Sequence, residues 1–374
     1  MRPTALALAL LLPLAAQGVL PPENRVVLDI ASSKENPRNS EGAFVTLKSG
    51  RVLFLYTQFH GGGADASPAR IVAIGSDDAG QTWSREPRVV VENTGHQNVM
   101  SVSLLRLRSG GIALFYLIKN SLHDCQPWMQ VSTDEAETWS APKLVVDAPG
   151  YFVLNNDRVI QLSTGRLVAP VAFHRARRSD AHDPRSFDER ALALWYLSDD
   201  EGQTWREAND WWALPVTSRS GLQEPGVVEL AGGNVFSWVR TDLGAQWGCV
   251  STNAGLSWPV FTATSLKSPL SPASIKRLPG GADLLAVFND HSGAFPFPRG
   301  QRTPLVAAIS SDGGITWPVR KVLEDDPKGQ YCYTAIHFVE GAVLLGYLDF
   351  RGTGARESNR LRIRRVGIGW LRAP

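Results

Sequence analysis

Six residues stand out because their side chains could act together, although they are spread over most of the chain. Guanidinium groups hold planar anions with charge-assisted, partly bidentate hydrogen bonds. A phenol with a pKa of about 10 needs a neighbouring base to act as a nucleophile at neutral pH, and a carboxyl group can give and take protons. Three Arg, two carboxylates and one Tyr therefore predict a site that binds an anion and transfers protons beside it. The six are Arg38, Asp65, Glu224, Arg240, Arg302 and Tyr333.

A phrase that occurs five times predicts the scaffold that must bring these residues together. Its consensus is Ser-x-Asp-x-Gly-x-Thr-Trp, and successive copies begin 53 to 66 residues apart. The Asp can accept backbone N–H groups, the Gly can adopt a left-handed conformation, and the Trp can bury a large face between sheets. This spacing predicts four-stranded units that stack as the blades of a β-propeller. The copies begin at Ser76, Ser132, Ser198, Ser251 and Ser310.

A second recurring signal gives the number of blades. Glycine-centred turns, each flanked by apolar runs, predict the hairpin between the first and second strands of a blade. In five blades the repeated phrase then joins the third and fourth strands, and the sixth blade ends in residues 361–366 without it. The six turns are centred on Gly50, Gly110, Gly165, Gly232, Gly280 and Gly341.

The segment Asn24–Ile30 resembles the outer strands that follow the repeated phrases. As a fourth strand without a blade of its own, it is expected to complete the last blade and close the ring. The predicted fold is thus all-β, a six-bladed β-propeller closed by an N-terminal strand. It occupies residues 19–374 as one domain.

Residues 1–18 have the basic start, short apolar run and small residues of a secretory signal, which predicts export. No later stretch is long enough to span a membrane.

The net charge of +2 and the absence of charge blocks exclude an obvious nucleic-acid partner. Cys125, Cys249 and Cys332 match no metal motif, and one disulfide among them is left open.

The up-and-down order of a blade puts the stereotyped turns on one face and the variable loops on the other, where we expect the site. Glu41 either pairs with Arg38 or faces the pocket, and the pairing is the expectation. Residues 155–158 either contact hydroxyl groups of a bound molecule or cap a turn. Further candidates in the loops between second and third strands, for contact with or stacking on a substrate, are His60, His123, His174, His291, Phe59, Trp128, Phe295 and Phe297.

The repeated phrase resembles the Asp-box of the sialidase (neuraminidase) superfamily, and the likeness extends along nearly all of the chain after residue 18. Glu224–Leu230 with Ser237–Arg240 is similar to the segment that holds the Glu partner of the nucleophile and the second Arg. Arg302–Val306 is similar to the segment of the third Arg, and Tyr333–Ile336 to that of the nucleophilic Tyr. The first Arg of the family precedes Ile-Pro, whereas Asn39-Ser40 follows Arg38 here, and Asp65 falls in a loosely similar acid/base loop.

The resemblance implies an exo-α-sialidase that acts on sialylated glycans. No cofactor is predicted, since no metal-ligand spacing occurs, and a requirement for calcium is left open. Three arginines would hold the substrate carboxylate, and Tyr333, activated by Glu224, would attack the anomeric carbon. Asp65 would protonate the leaving oxygen, and the expected outcome is retention, since sialidases with a Tyr nucleophile depart from the two-carboxylate rule of glycosidases. Two alternatives stay open: a noncatalytic carbohydrate-binding propeller, and a hydrolase of another acidic, ulosonic sugar.

Overall fold

The computed structural model describes residues 23–351 and 358–373, and regular structure in them is almost entirely β-strand. The all-β prediction is confirmed. The predicted signal peptide lies outside the described residues, so export remains a prediction. Within the described ranges, no helix combines the length and the apolar character needed to cross a bilayer.

The first strand of the chain does not belong to the first sheet. β1 (Asn24–Ile30) pairs instead with a strand from the C-terminus. The next four strands form an antiparallel sheet in chain order, and among the described residues no strand pairs with the inner side of the first of them. They are β2 (Arg38–Thr46), β3 (Val52–Phe59), β4 (Ala69–Ser76) and β5 (Arg88–Val91).

Two four-stranded groups follow, and they are joined into one nine-stranded sheet by a single parallel bridge between Tyr151 and Cys125. In the second group the inner strand is split into two short pieces that both pair with the next strand. The first group is β6 (Asn98–Arg106), β7 (Ile112–Lys119), β8 (Cys125–Ser132) and β9 (Lys143–Leu144). The second is β10 (Tyr151–Val153), β11 (Ile160–Gln161), β12 (Leu167–Ala176), β13 (Phe187–Ser198) and β14 (Arg206–Glu207), with a 3-10 turn at Pro184–Ser186.

Three more antiparallel sheets complete the described chain. The fourth group is β15 (Gln223–Glu229), β16 (Val235–Arg240), β17 (Ala245–Ser251) and β18 (Thr262–Lys267). The fifth is β19 (Ser274–Arg277), β20 (Leu284–Asn289), β21 (Leu305–Ser310) and β22 (Val319–Glu324). The last contains β23 (Gln330–Val339), β24 (Ala342–Arg351) and β25 (Ser358–Gly367), followed by helix α1 (Ile368–Arg372).

The pairing of β1 with β25 makes Asn24–Ile30 the fourth strand of the last sheet, as the sequence predicts. Each group has the up-and-down order of a propeller blade. The number of blades and the closure of the ring remain predictions.

The hydrophobic core lies between the faces of neighbouring sheets. Trp195 of β13 is fully buried and stacks on Trp258 of the next group, with ring centroids 4.3 Å apart. Burial of an aromatic pair of this size contributes about 0.5–1.5 kcal/mol beyond the area removed from water. The tryptophans of the repeated phrases therefore bind one sheet to the next.

The repeated phrases form the turns between third and fourth strands, as predicted. Asp78 accepts hydrogen bonds from Thr82 N at 2.9 Å and Thr82 Oγ1 at 2.6 Å, and Trp83 donates to Gly80 O. The consensus is not kept in two copies: Ala136 takes the glycine position at a φ of 69°, and Asn253 replaces the Asp. The amide oxygen of Asn253 still accepts a backbone N–H, so the turn survives the loss of the carboxylate.

The glycine-centred turns also form as predicted. All six central glycines have a φ between 66° and 100°, a region that other residues adopt only with strain. Because these turns and the repeated phrases are at one end of the strands, the opposite ends of the inner strands are left to build a site.

Candidate active site

The inner strands share an irregularity that sequence reasoning missed. In four of the six groups a non-glycine residue with positive φ lies at a β-bulge near the start of the strand: Glu41 (28°), Ser101 (62°), Glu224 (49°) and Tyr333 (58°). A bulge re-aims a side chain, and backbone strain of this kind is concentrated at functional sites. All four residues line one cavity of about 210 Å³.

Several site residues lie at other positions in their strands than the sequence predicts. Glu224 is the second residue of β15 and Tyr333 the fourth of β23, whereas the sequence placed them before or at the strand starts. Arg38 is the first residue of β2, and Arg302 comes three residues before β21 instead of starting it. Arg240 ends β16 as predicted, and Asp65 lies in the loop between β3 and β4.

The structure brings all six predicted residues to this cavity, although not all of them line it. Asp65, Glu224, Arg240 and Tyr333 face the open space. Arg38 and Arg302 lie behind them: Arg38 contacts Asp65, and the Arg302 guanidinium carbon is 5.7 Å from the centre of the Tyr333 ring.

A hydrogen-bonded chain connects three of these residues. Tyr333 Oη donates to Glu224 Oε1 at 3.2 Å, and Arg240 Nη1 donates to the other carboxylate oxygen at 2.8 Å. Arg240 and Glu224 are 12% and 14% exposed, so the pair is partly desolvated and its charges interact more strongly than at a free surface. The carboxylate is placed to accept the phenolic proton.

Burial raises the pKa of Tyr333 well above its ordinary value, and the negative charge of Glu224 raises it further. Arg240 and Arg302 act in the opposite direction but do not compensate. The two arginines therefore favour the phenolate, but by less than burial and Glu224 disfavour it. The phenol is protonated, which makes an adjacent proton acceptor necessary for nucleophilic attack.

Arg38 is almost completely buried and is held by two carboxylates. Its Nη2 donates to Glu41 Oε1 at 3.0 Å, which confirms the predicted pair, and its Nη1 contacts Asp65 Oδ1. Burial disfavours the charge on Arg38, but Glu41 and Asp65 outweigh it and raise the pKa of the guanidinium. Burial likewise raises the pKa of the Glu41 carboxyl, and Arg38 counters part of that effect. Arg38 thus reaches the site as part of an ion-pair network.

Arg302 is oriented by a different set of neighbours. Its Nη1 donates to the Sγ of Cys332 at 3.1 Å, and its guanidinium carbon lies 5.9 Å from the centre of the Phe350 ring. The peptide bond that follows Thr303, next to it, is cis. Cys332 is a buried free thiol, as are Cys125 and Cys249, so no disulfide joins the three cysteines.

Residues 155–158 support the site from beneath. Asn156 Nδ2 donates to the carbonyl oxygens of Gly42 and Tyr333 at 3.0 and 3.1 Å, and Asp157 accepts from Ile336 N at 2.8 Å. These bonds fix the backbone beside two bulges. Asn155 alone of this segment lines the cavity.

The histidine and aromatic residues predicted to lie in loops near the site differ in whether they line the cavity. His174 lines the cavity, but from within β12 instead of a loop, and His60, His123 and His291 do not line it. None of the four aromatic candidates lines it: Phe59 and Trp128 are in strands, Phe297 stacks on His291 with centroids 4.2 Å apart, and Phe295 packs against a core cluster. Besides Tyr333 and His174, the aromatic rings that line the cavity are those of Tyr151 and Phe187, which sequence reasoning missed.

Three further polar lining residues were also missed. Ser101 carries no distinctive sequence signal, whereas Lys119 ends an otherwise apolar strand and Gln223 directly precedes Glu224. In the part of the chain that the structure describes, no group of three or more His, Cys, Asp or Glu side chains is arranged to hold a metal ion.

Comparison with known proteins gives the family. A family described as BNR repeat-like domain matches residues 55–348. A sialidase of Bacteroides fragilis is 26% identical over 286 residues, 73% of this chain and 48% of that protein, and a sialidase of Micromonospora viridifaciens is 30% identical over 253 residues, 64% and 35% respectively. The chain belongs to the BNR repeat-like family of the sialidase superfamily. It spans about half or less of the length of these two relatives.

Solved structures show the same fold. A protein of unknown function from Dyadobacter fermentans superposes with a TM-score of 0.70 at 18% identity, covering 92% of this chain and 100% of that chain. The NanB sialidase of Streptococcus pneumoniae gives a TM-score of 0.69 at 15% identity, covering 93% and 71%. The all-β fold therefore resembles that of sialidase β-propellers.

Proposed function

We propose that the protein is a retaining exo-α-sialidase that removes terminal sialic acid from glycoconjugates. The observation that carries the proposal is the chain of hydrogen bonds from Tyr333 through Glu224 to Arg240, at one cavity that also receives Asp65 and Arg302. Sialidases among the relatives support the same substrate class. The proposal includes a closed ring of six blades and export of the mature chain.

Substrate binding depends on charge. The carboxylate on the anomeric carbon of a sialic acid is planar, and Arg240 faces the cavity with Arg302 and Arg38 behind it. Guanidinium groups in such a partly desolvated site bind a carboxylate with directed, charge-assisted hydrogen bonds. A neutral phenol is suited to attack beside this carboxylate, because a carboxylate nucleophile would be repelled by it.

In the first step the oxygen of Tyr333 forms a bond to the anomeric carbon while Glu224 takes the phenolic proton. The bond to the leaving oxygen breaks, and Asp65 donates a proton to that oxygen. In the second step Asp65 takes a proton from water, the water oxygen bonds to the anomeric carbon, and the bond to Tyr333 breaks. Glu224 then returns its proton to the Tyr333 oxygen, and the configuration at the anomeric carbon is retained.

One observation favours a second candidate, a hydrolase of another acidic sugar. Arg38 is paired with both Glu41 and Asp65, and Glu41 places a third carboxyl group in the cavity. These pairs leave fewer free donors for a substrate carboxylate than three unpaired arginines would offer. A panel of aryl glycosides of sialic and other ulosonic acids separates the two candidates by their relative kcat/KM.

The decisive experiment is the release of free sialic acid from a sialylated glycoprotein, with and without a dehydrated sialic acid analogue. Release that the analogue inhibits supports the proposal. Proton NMR of the first product formed from an aryl sialoside gives the stereochemistry, since retention yields the α-anomer before mutarotation. Absence of release from glycoproteins and from aryl sialosides contradicts a sialidase function.

A further inference from the structure

The residues of the proposed reaction make up only part of the cavity lining. Most of the rest comes from the two groups that make up the nine-stranded sheet, and none of these side chains takes part in the steps above. We call this part of the lining the second wall, and it includes Lys119, Cys125, Tyr151, Asn155, His174 and Phe187.

Lys119 is the most unusual member of the second wall because its charge is buried. The residue is 5% exposed, and its Nζ donates to the carbonyl oxygen of Asp65 at 3.2 Å. The ammonium also lies 5.4 Å from the centre of the Tyr151 ring. An ammonium has three donors, and a buried charge is costly unless they are used. Within the described part of the chain one is accepted by oxygen, so Lys119 can donate to a molecule in the cavity.

Asn155 adds a second donor. Its Oδ1 accepts from Asn156 N at 2.9 Å, which fixes the orientation of the amide. Its Nδ2 is buried and has no hydrogen-bond partner among the described residues, although the residue lines the cavity. A buried amide donor without a partner costs about 1–3 kcal/mol, which a ligand oxygen can recover.

His174 provides the complementary function. Its Nδ1 lies 2.9 Å from the carbonyl oxygen of Asp188, so Nδ1 carries the hydrogen and Nε2 is an acceptor in the neutral ring. Lys119, Asn155 and His174 line the same cavity, so two donors and one acceptor are available there for the hydroxyl and carbonyl groups of a sugar.

We propose that Lys119 and Asn155 form an oxygen-binding subsite that takes a hydroxyl or carbonyl oxygen from the part of the sugar that does not face Tyr333. This subsite discriminates among acidic sugars by the group they carry there. The inference rests on the proposed function and adds a specificity determinant to it.

The alternative role for Lys119 is to anchor the loop that carries Asp65, and the chain offers a matched control for that role. Asn98 is fully buried, and its Nδ2 donates to the same Asp65 carbonyl at 2.9 Å and to that of Ser67 at 2.9 Å, but Asn98 does not line the cavity. Asn98→Ala therefore removes a loop anchor without removing a substrate contact.

The test compares kcat and KM of Lys119→Met, Lys119→Arg, Asn155→Asp and Asn98→Ala on an aryl sialoside. Loss of a hydrogen bond from a charged donor predicts a KM raised about 10-fold or more in Lys119→Met, with kcat changed less than about 3-fold. Lys119→Arg recovers part of the affinity, Asn155→Asp also raises KM, and Asn98→Ala lowers mainly kcat.

A fall in kcat at unchanged KM in Lys119→Met, as in Asn98→Ala, overturns the subsite and assigns Lys119 to the loop. If Lys119→Met does not fold, the KM of Asn155→Asp tests the subsite instead. This substitution keeps the oxygen that accepts from Asn156 N and removes the amide donor. An unchanged KM in Asn155→Asp overturns the subsite. Failure of the proposed function is seen separately, in the wild-type protein: if it neither binds nor hydrolyses aryl sialosides, both proposals fall.

Discussion

The phenolic oxygen of Tyr333 lies 3.2 Å from a carboxylate oxygen of Glu224, although the two residues are 109 positions apart and belong to different sheets. Both sit at bulges with positive φ, so two local distortions of the backbone create one contact. Since burial keeps the phenol protonated, this contact is the route by which its proton can leave.

Tyr333→Phe should remove turnover and leave the fold intact. The substitution deletes one oxygen and keeps the ring beside Arg302, and the ion pair between Glu224 and Arg240 does not depend on it. Loss of a nucleophile lowers kcat on the order of 10⁴-fold or more. The measurement is aryl sialoside hydrolysis, with circular dichroism and the thermal midpoint as controls. A rate within tenfold of wild type contradicts the assigned role.

Asp65→Asn should lower kcat by an amount that depends on the leaving group of the substrate. Asp65 is 66% exposed at the mouth of the cavity, where it can reach the leaving oxygen. A glycan alcohol needs protonation to depart, whereas an acidic phenol does not, so kcat should fall about 10²–10⁴-fold on a sialylated oligosaccharide and much less on a nitrophenyl sialoside. Equal losses on both substrates would show that Asp65 acts through Arg38, its ion-pair partner, instead of through proton transfer.

Arg240→Lys should weaken binding of the anionic substrate. A lysine keeps the charge near Glu224 but loses the fork of donors that fits a carboxylate, so KM should rise about 10-fold. The matched control is Arg219→Lys, because Arg219 is 90% exposed and does not line the cavity. Inhibition constants of a dehydrated sialic acid analogue check the same effect without turnover. An unchanged KM in Arg240→Lys would place the substrate carboxylate elsewhere.

The repeated phrases and the glycine turns could be predicted from sequence because their geometry is local. The hydrogen bonds of Asp78 stay within the eight-residue phrase, and the residue that needs positive φ is glycine at each hairpin turn. The same locality explains why the placement of Asn24–Ile30 was found, since its pattern matches the other outer strands.

The bulges could not be predicted in the same way. A bulge sets two residues against one on the neighbouring strand, so it depends on register across the sheet and not on a local signal. The residues at positive φ are Glu, Ser and Tyr, which do not indicate such a conformation in a sequence. The resemblance supplied Glu224 and Tyr333, whereas Ser101 had no such support.

The second wall was missed for a related reason. Lys119 ends an apolar strand and Tyr151 starts a very short one, so both are consistent with ordinary core or edge positions. Their juxtaposition follows from the parallel bridge between Tyr151 and Cys125, a contact between two groups that sequence periodicity does not report.

His337, which lies outside the active site, should make the free energy of unfolding depend on pH. It lies on β23, where its Nε2 is 2.7 Å from Thr46 Oγ1 of β2 and its ring stacks on Phe44 with centroids 5.8 Å apart. Burial, with a smaller effect of Lys276, lowers its pKa from 6.5 to about 3. At pH values between about 3 and 6.5, His337 is protonated in the unfolded chain and neutral in the folded chain. The free energy of unfolding therefore falls as pH drops through this window and is unaffected by this group above it.

His337→Asn should remove this contribution. Between pH 4 and 6 the slope of the free energy of unfolding against pH should become shallower by up to about 1.4 kcal/mol per pH unit. Urea unfolding at several pH values measures it, and His96→Asn, at an exposed histidine, is the control that should keep the wild-type slope. If His337→Asn changes stability equally at pH 4 and pH 7, the histidine contributes packing alone and is protonated alike in both states.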